Sequence, residues 1–439
     1  MVMLLDLPEE ALCLIAEELP FQGDRCSLIR SCRRLYTVLL PALYSRVILG
    51  NCTHHTIGQA SRLVNAIARR PQLANAVRSI RLGYWDTEDA NEEVDVDFEY
   101  DRELLDGFVA GTCWSKQPHK QLRLGNTDAW LALLLPQLKG LRRISICYPD
   151  MSEYVTEMFV KAAREDTTAF SRLVEAFGEW YDTENSIHAS LMDPFFKFPA
   201  MRRVGGHAIV DNAREEEETR IIPFSDVTDI DLDMTNTECG FRVWIESCKA
   251  LKTFRLNIGG GMISDGPEIV SAPLQESISL HKTTLEGFWL CGESYEPPED
   301  DEGWMGSFAD FNMLKYLHIS ISMLAKLDED FEPTQELMAI LPPSLETLYL
   351  CHCHNELLGW AVDQIDRLID SNCLPRLTSL GLEGYGPSEV QQSSLETMRK
   401  LEELHKKCAD AGVFFATSIG SHRVVPSHFV SLWPCVYDS

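Results

Sequence analysis

One short pattern recurs through most of this 439-residue chain: apolar-x-x-apolar-x-apolar. It fits Val77-Ile80-Leu82, Leu141-Ile144-Ile146, Val227-Ile230-Leu232, Leu251-Phe254-Leu256 and Leu285-Phe288-Leu290. It returns at Leu314-Leu317-Ile319, Leu345-Leu348-Leu350 and Leu377-Leu380-Leu382, with a truncated copy at Met201-x-x-Val204. From Leu251 onward the copies start 34, 29, 31 and 32 residues apart, and insertions interrupt the spacing before that. The alternation suits a strand with one buried face. Helix-like segments precede the late copies, as at Glu336–Leu341 and Ala361–Ser371. Strand and helix repeated at this period leave few foldable options, because one unit cannot bury its own apolar face and must stack on the next.

A strand and a helix per repeat of this length resemble the leucine-rich repeat. The resemblance implies an α/β fold: an irregular leucine-rich-repeat-like solenoid with parallel strands lining a concave face and helices outside. The phrase Leu280-His281-Lys282-Thr283-Thr284-Leu285-Glu286 also resembles the repeat boundaries of fungal F-box proteins. The regular pattern wants Asn or Cys three residues after its last apolar position, and Cys353 alone supplies it. A helix is expected over Thr56–Arg70, stopped by Pro71. The last helix is expected over Ser394–Ala411, with Leu395, Met398, Leu401, Leu404 and Cys408 inward and Gly412 as its stop. Val413-Phe414-Phe415 reads as a final strand, and His422–Ser439, with Leu432, Trp433 and Tyr437, as a cap over the open end.

The opening stretch, Leu7–Tyr44, follows a different rule. Pro8 suits a helix start, and Glu9 and Glu10 favour the positive end of the helix dipole. Leu12, Ile15, Ala16 and Leu19 make an apolar stripe, and Pro20 and Gly23 end it. Asp24 reads as the N-cap of a second helix carrying Leu28, Cys32, Leu35 and Leu39, with a break at Pro41. So short a module buries little of its own surface. It is either a helical cap for the repeats or a docking element. Leu7-Pro8-Glu9-Glu10, Ile15, Leu19-Pro20, Ser31-Cys32-Arg33-Arg34-Leu35-Tyr36 and Leu43-Tyr44 resemble an F-box, most of all that of fungal F-box proteins. The resemblance implies a three-helix F-box domain over residues 1–48 and a repeat domain over 49–439. It also implies docking onto the Skp adaptor, and through it a cullin, with Leu7, Pro8, Ile15, Leu19, Leu28 and Leu35 at or beside the adaptor-facing surface.

A net charge of −28 repels nucleic-acid phosphates and anionic membranes. No signal-peptide pattern or apolar run of spanning length is present. The fourteen cysteines are therefore expected as thiols, in cytoplasm or nucleus. Residues 86–101 hold nine acidic residues and no basic one, and together with 293–303 and Glu215–Glu218 they read as exposed acidic loops.

Reactive constellations are few. Cys351-His352-Cys353-His354 and Cys52-His54-His55 carry zinc-type donors, but no Cys-x-x-Cys pair exists and successive strand residues face opposite ways. Cys353 reads instead as the buried turn position of its repeat, and no metal or cofactor is expected. Asp95-x-Asp97-x-Glu99-x-Asp101 lacks the glycine and the final glutamate of a calcium loop. Gly259-Gly260-Gly261 lacks the Gly-Lys-Ser/Thr of a phosphate loop. No hydrolase, metalloprotease or kinase signature occurs, so catalysis is not expected. The informative surface is the strand face opposite the core. There Arg255, Trp289, His318 and Tyr349 fall in one column, and Thr253, Gly287, Tyr316 and Thr347 in the next. Arg255, Trp289, Tyr316, His318 and Tyr349 are candidate target-binding residues, since exposed Trp, Tyr and Arg anchor interfaces. The competing reading is that these aromatics are buried. The expected function is substrate recognition for a Skp–cullin–F-box ubiquitin ligase. The alternative is an interaction scaffold that does not promote ubiquitination.

Overall fold

In the computed structural model, residues 4–19, 21–50, 56–85, 87, 103, 106, 118–164, 168–182, 184–212, 221–259, 269–292, 303–328, 332–353, 355–384 and 395–418 are described. The acidic loops at 88–101, 215–218 and 293–302, Cys52, His54, His55, His354, Gly260, Gly261 and the tail 422–439 lie outside the described residues, as do the side chains of Leu395 and Met398. The chain forms two units, Met1–Tyr181 with Lys197–Met201, and Asp182–Phe196 with Arg202–Ser439.

The first unit opens with helices α1 (Glu9–Glu17), α2 (Gln22–Ser31) and α3 (Arg33–Leu43). Pro8 holds the N-cap position of α1 and the two glutamates fill its first turn. The single second helix expected from Asp24 through Leu39 is instead two helices. Cys32 is extended at φ −158° and ψ 161°, and its sulfur accepts from the Leu35 N–H, so it ends α2 and caps α3. Pro41 sits inside the last turn of α3 rather than ending it. Leu12, Ala16, Ile29, Leu35 and Leu39 form the small core, with Leu7, Leu28, Val38 and Leu43 packed around it.

Strand β1 (Arg46–Leu49) follows α3 directly and pairs in parallel with β2 (Ser79–Leu82). Next come β3 (Arg143–Tyr148) and β4 (Glu175–Trp180), also parallel. Helices Thr56–Arg69, Thr127–Leu134 and Tyr154–Arg164 link successive strands. Two of these strands were hidden in the sequence. Tyr44-x-x-Val47-x-Leu49 fits the repeat template but overlaps the opening module. In β4 the central and last positions are Ala176 and Gly178, which pair with Ile144 and Ile146.

In the second unit β6 (Arg203–His207), β8 (Asp229–Thr237), β9 (Thr253–Ile258), β10 (Gly287–Gly292), β11 (Tyr316–Ser320), β12 (Thr347–Cys353), β13 (Ser379–Gly384) and β14 (Phe414–Ser418) run side by side in that order, all parallel. The short strands β5 (Ile187–His188) and β7 (Ile209–Asp211) pair with each other, and β7 also pairs with β8. The central template residues fall in one register: Val204, Ile230, Phe254, Phe288, Leu317, Leu348 and Leu380. All are buried and form the core stripe under the sheet. Residues three past the last template position are buried as well. Trp85, Thr235, Ser322 and Cys353 occupy that place, so no uniform amide ladder can form there. The final helix, Leu395–Asp410, buries Leu401, Leu404 and Cys408. Gly412 at φ +75° closes it, the left-handed stop its position called for.

One carbonyl per repeat ties it to the next. Lys252 O accepts the N–H groups of both Glu286 and Gly287, Glu286 O those of Lys315 and Tyr316, and Lys315 O those of Glu346 and Thr347. The same link recurs in the first unit, where Ser45 O accepts from Arg78 and Ser79, and Arg78 O from Arg142 and Arg143. His281 adds a side-chain staple. It is 4% exposed; its Nε2–H donates to Ile245 O at 3.0 Å and its Nδ1 accepts from the Leu251 N–H at 3.3 Å. These bonds specify the neutral ring, and burial holds its pKa below the ordinary 6.5.

Two outcomes follow from this packing. Leu317→Ala should cost about 2–5 kcal/mol, read by urea unfolding, because it opens a cavity in the continuous stripe. For His281 the folded-state pKa is depressed, so the stability it supports is complete above pH 6.5 and falls as pH drops through that value. Stability measured from neutral to acidic pH should decline less steeply in His281→Gln than in the native chain.

Candidate functional site

Register sets the site. Asp231, Arg255, Trp289, His318, Tyr349 and Gly381 occupy equivalent positions on β8 to β13, on the sheet face opposite the apolar stripe. The side chains run as one continuous stack. Arg255 Nη1 meets Asp231 Oδ1 at 2.7 Å, and the Arg255 guanidinium lies 4.9 Å from the Trp289 ring centre. The Trp289 and His318 rings stack at 3.7 Å with 28° between planes, and His318 and Tyr349 follow at 4.4 Å. These separations come close to the spacing of neighbouring strands, about 4.7–4.9 Å, so flat side chains in register fill the gaps between strands. The Tyr349 hydroxyl donates to Glu383 Oε2 at 3.1 Å. Burial first, and then the Glu383 carboxylate, push the phenol above its ordinary range.

The stack decides between the two readings of the aromatic column. Trp289 is 8% exposed, and His318 and Tyr349 are 1% exposed, so these three are interior residues and not the exposed anchors expected of a target-binding patch. Arg255 and Tyr316 remain half-buried and reach the surface. Gly381 completes the stack, since a Cβ there would fall 2.1 Å from Tyr349 Cδ2.

Flanking the stack toward β8, Asp233 accepts from His207 Nδ1 at 3.1 Å and from Asn257 Nδ2 at 2.8 Å. Burial raises its pKa, but these two hydrogen bonds, together with the Coulombic pull of His207 and Arg255, outweigh that and hold the carboxyl below its ordinary range. On the other side, two residues past Trp289 and Tyr349, sit Cys291 and Cys351, their sulfurs 3.0 Å apart. Burial raises the Cys351 thiol well above its ordinary range. Cys351 stands beside His352 and Cys353 in the chain, whereas the fold pairs it with a residue two strands away. The only available signal was repeat position. His352 takes a left-handed φ of +53° and Cys353 is buried, its sulfur directed at Leu350 O.

A sequence profile of the leucine-rich repeat domain matches residues 153–380. The chain belongs to the leucine-rich repeat family. No curated protein matches it. The leucine-rich repeat match spans the stacked column from Asp231 to Tyr349 and the core stripe beneath it, and the domain carries a protein-interaction role. It stops short of the opening helices. Among the described residues, no helix is long and apolar enough to cross a membrane.

The residues assigned to adaptor docking separate in the structure. Leu35 is 2% exposed and belongs to the module's core, because it faces Leu12 and Ala16 rather than solvent. Leu7, Leu19 and Leu28 are half-buried, and Pro8 and Ile15 are exposed. Leu14 and Phe21, absent from the expected set, are the most open apolar residues of the module, at 62% and 70%.

Trp289→Ala and Tyr349→Ala should each lower stability by about 3–5 kcal/mol, the cost of emptying an interior aromatic position. Gly381→Ala should cost about 1–3 kcal/mol by overpacking. That penalty should vanish in a Tyr349→Ala background, which thermal unfolding of the four proteins in the cycle will show.

Proposed function

We propose that this protein is the substrate-recognition subunit of a Skp–cullin–F-box ubiquitin ligase. Residues 1–48 would be the F-box domain and 49–439 the repeat domain. The observation that carries the reading is the split of α1 and its surroundings into two apolar surfaces. Leu12 and Ala16 point into the module core, while Pro8, Leu14, Ile15 and Phe21 stay exposed. A three-helix module that leaves this much apolar surface open has a docking partner to cover it. The Leu-Pro start and the Cys-Arg-Arg-Leu-Tyr run, similar to an F-box, support the Skp adaptor as that partner, with the cullin reached through it.

Tyr36 Oη accepts from Arg70 Nη1 at 2.7 Å, and α3 runs without a linker into β1. In this reading the docking element would be continuous with the first repeat strand. Arg255 and Tyr316, the half-buried members of the strand face that still reach the surface, would contact the target protein, with Trp289, His318 and Tyr349 as their rigid support. The mechanism is proximity: the chain holds a target near the transferring enzyme and breaks no bond itself. Cytoplasm and nucleus are the compartments that such a ligase serves. A scaffold that binds an adaptor without promoting ubiquitination is the second reading, favoured by the interaction role of the repeats alone.

The test is binding of purified Skp adaptor to the full chain, to Leu7→Ala/Pro8→Ala and to Leu14→Asp/Phe21→Asp. The native chain should bind. Both variants should weaken binding, the exposed pair by about 100-fold or more, as expected for central interface anchors. A folded native chain with no affinity for the adaptor would sink the proposal. Binding without recruitment of cullin favours the scaffold.

A further inference from the structure

We propose that Cys291, His318 and Cys351 form a zinc site that clasps β10, β11 and β12. The inference is independent of the ligase reading and rests on donors brought together by register. One ligand atom from each residue lies within 4.8 Å of the other two. Zinc bonds sulfur at about 2.3 Å and imidazole nitrogen at about 2.0–2.1 Å, so tetrahedral donors stand roughly 3.3–3.8 Å from one another. The donors here straddle that separation, from 3.0 Å between the sulfurs up to the 4.8 Å bound. Two thiolates and an imidazole are the donor chemistry zinc favours.

Three features separate this cluster from a chance meeting of thiols. The first is strand geometry. Ser320 of β11 pairs with Cys351, and Cys291 lies one residue past the Leu290–Ile319 pair, so the two sulfurs converge across an intervening strand. Backbones two strands apart are on the order of 9 Å from each other. A disulfide needs Cα atoms within about 7 Å, so at this spacing a direct bond would require the backbones to move, whereas a shared ion would not. The second feature is a break in the β12–β13 register between Leu350 and Cys353, with His352 at φ +53°. Such bulges re-aim side chains, and this one sits beside Cys351. The third is the His318 ring, clamped between Trp289 and Tyr349. A ligand already fixed in orientation loses little freedom when the metal binds.

Cys351 is fully buried and Cys291 half-buried, so a water on the Cys291 side completes the tetrahedron. On binding, each thiol releases its proton to solvent, and the two thiolates neutralise the dication. The role is structural: the ion would join three neighbouring strands, the middle one of which, β11, is followed by a helix of only four residues, Ile321–Leu324.

The experiment titrates the reduced, chelator-treated full chain with cobalt(II), then displaces it with zinc. The native chain should take up about one cobalt with a thiolate-to-cobalt charge-transfer band and the intense visible bands of a four-coordinate ion. Zinc should abolish both and raise the melting temperature. Cys291→Ser, a half-exposed and mild change, should weaken zinc binding by more than the roughly 10- to 100-fold that outer-shell changes cost. Cys351→Ser and His318→Gln should do the same, while Cys353→Ser, two residues further along β12, should leave the spectrum intact. A folded native chain without the charge-transfer band overturns the proposal. So does a spectrum unchanged in Cys291→Ser, which would place the metal on other cysteines.

Discussion

A parallel ladder satisfies its backbone only if each strand keeps step with the one before. Here the step is held by a single carbonyl in each repeat, which accepts two N–H groups from the next: Lys252, Glu286 and Lys315 in succession, with Ser45 and Arg78 doing the same in the first unit. Because that linkage recurs at one template position, the template positions that follow are carried into alignment with their counterparts. Burial on one face and stacking on the other are consequences of this alignment. A slip of one residue would exchange the two faces and expose the whole apolar stripe.

Alignment also explains how unlike residues become a unit. Asp231, Arg255, Trp289, His318, Tyr349 and Gly381 lie far apart in the chain, yet each rests on the next. The flat rings of Trp289, His318 and Tyr349 shield one another, and the smallest residue, Gly381, stands where the Tyr349 ring needs room. Stacking turns what alternation marks as a surface column into a second, thinner core. The cysteines beside it gain their neighbours in the same way, from position within the repeat rather than from proximity in sequence.

The opening helices obey short-range rules and merge with the array at α3 and β1. Their packing is economical, with five residues making the core. Exposed Leu14 and Phe21 are then the residue of an incomplete burial, and this is what gives the module its proposed docking role.

Periodicity by itself determined the strands at β2, β3, β8 to β13, the truncated β6 and the final helix, because alternating apolar positions and helical stripes are local properties of the chain. It also determined the column that holds Arg255, Trp289, His318 and Tyr349, since alternation assigns faces. It missed β4, where Ala176 and Gly178 replace bulky residues, and β1, where the copy overlaps the helical module. It misjudged the start of α3, because the break at Cys32 depends on an extended backbone and a sulfur cap that no stripe reveals. Tertiary structure alone decided that Trp289, His318 and Tyr349 are interior, that Leu35 faces inward while Leu14 faces out, and that Cys351 meets Cys291. The reason is physical: a period tells which side of a strand a residue occupies, but burial and ligand geometry depend on what the neighbouring strands bring to the same height.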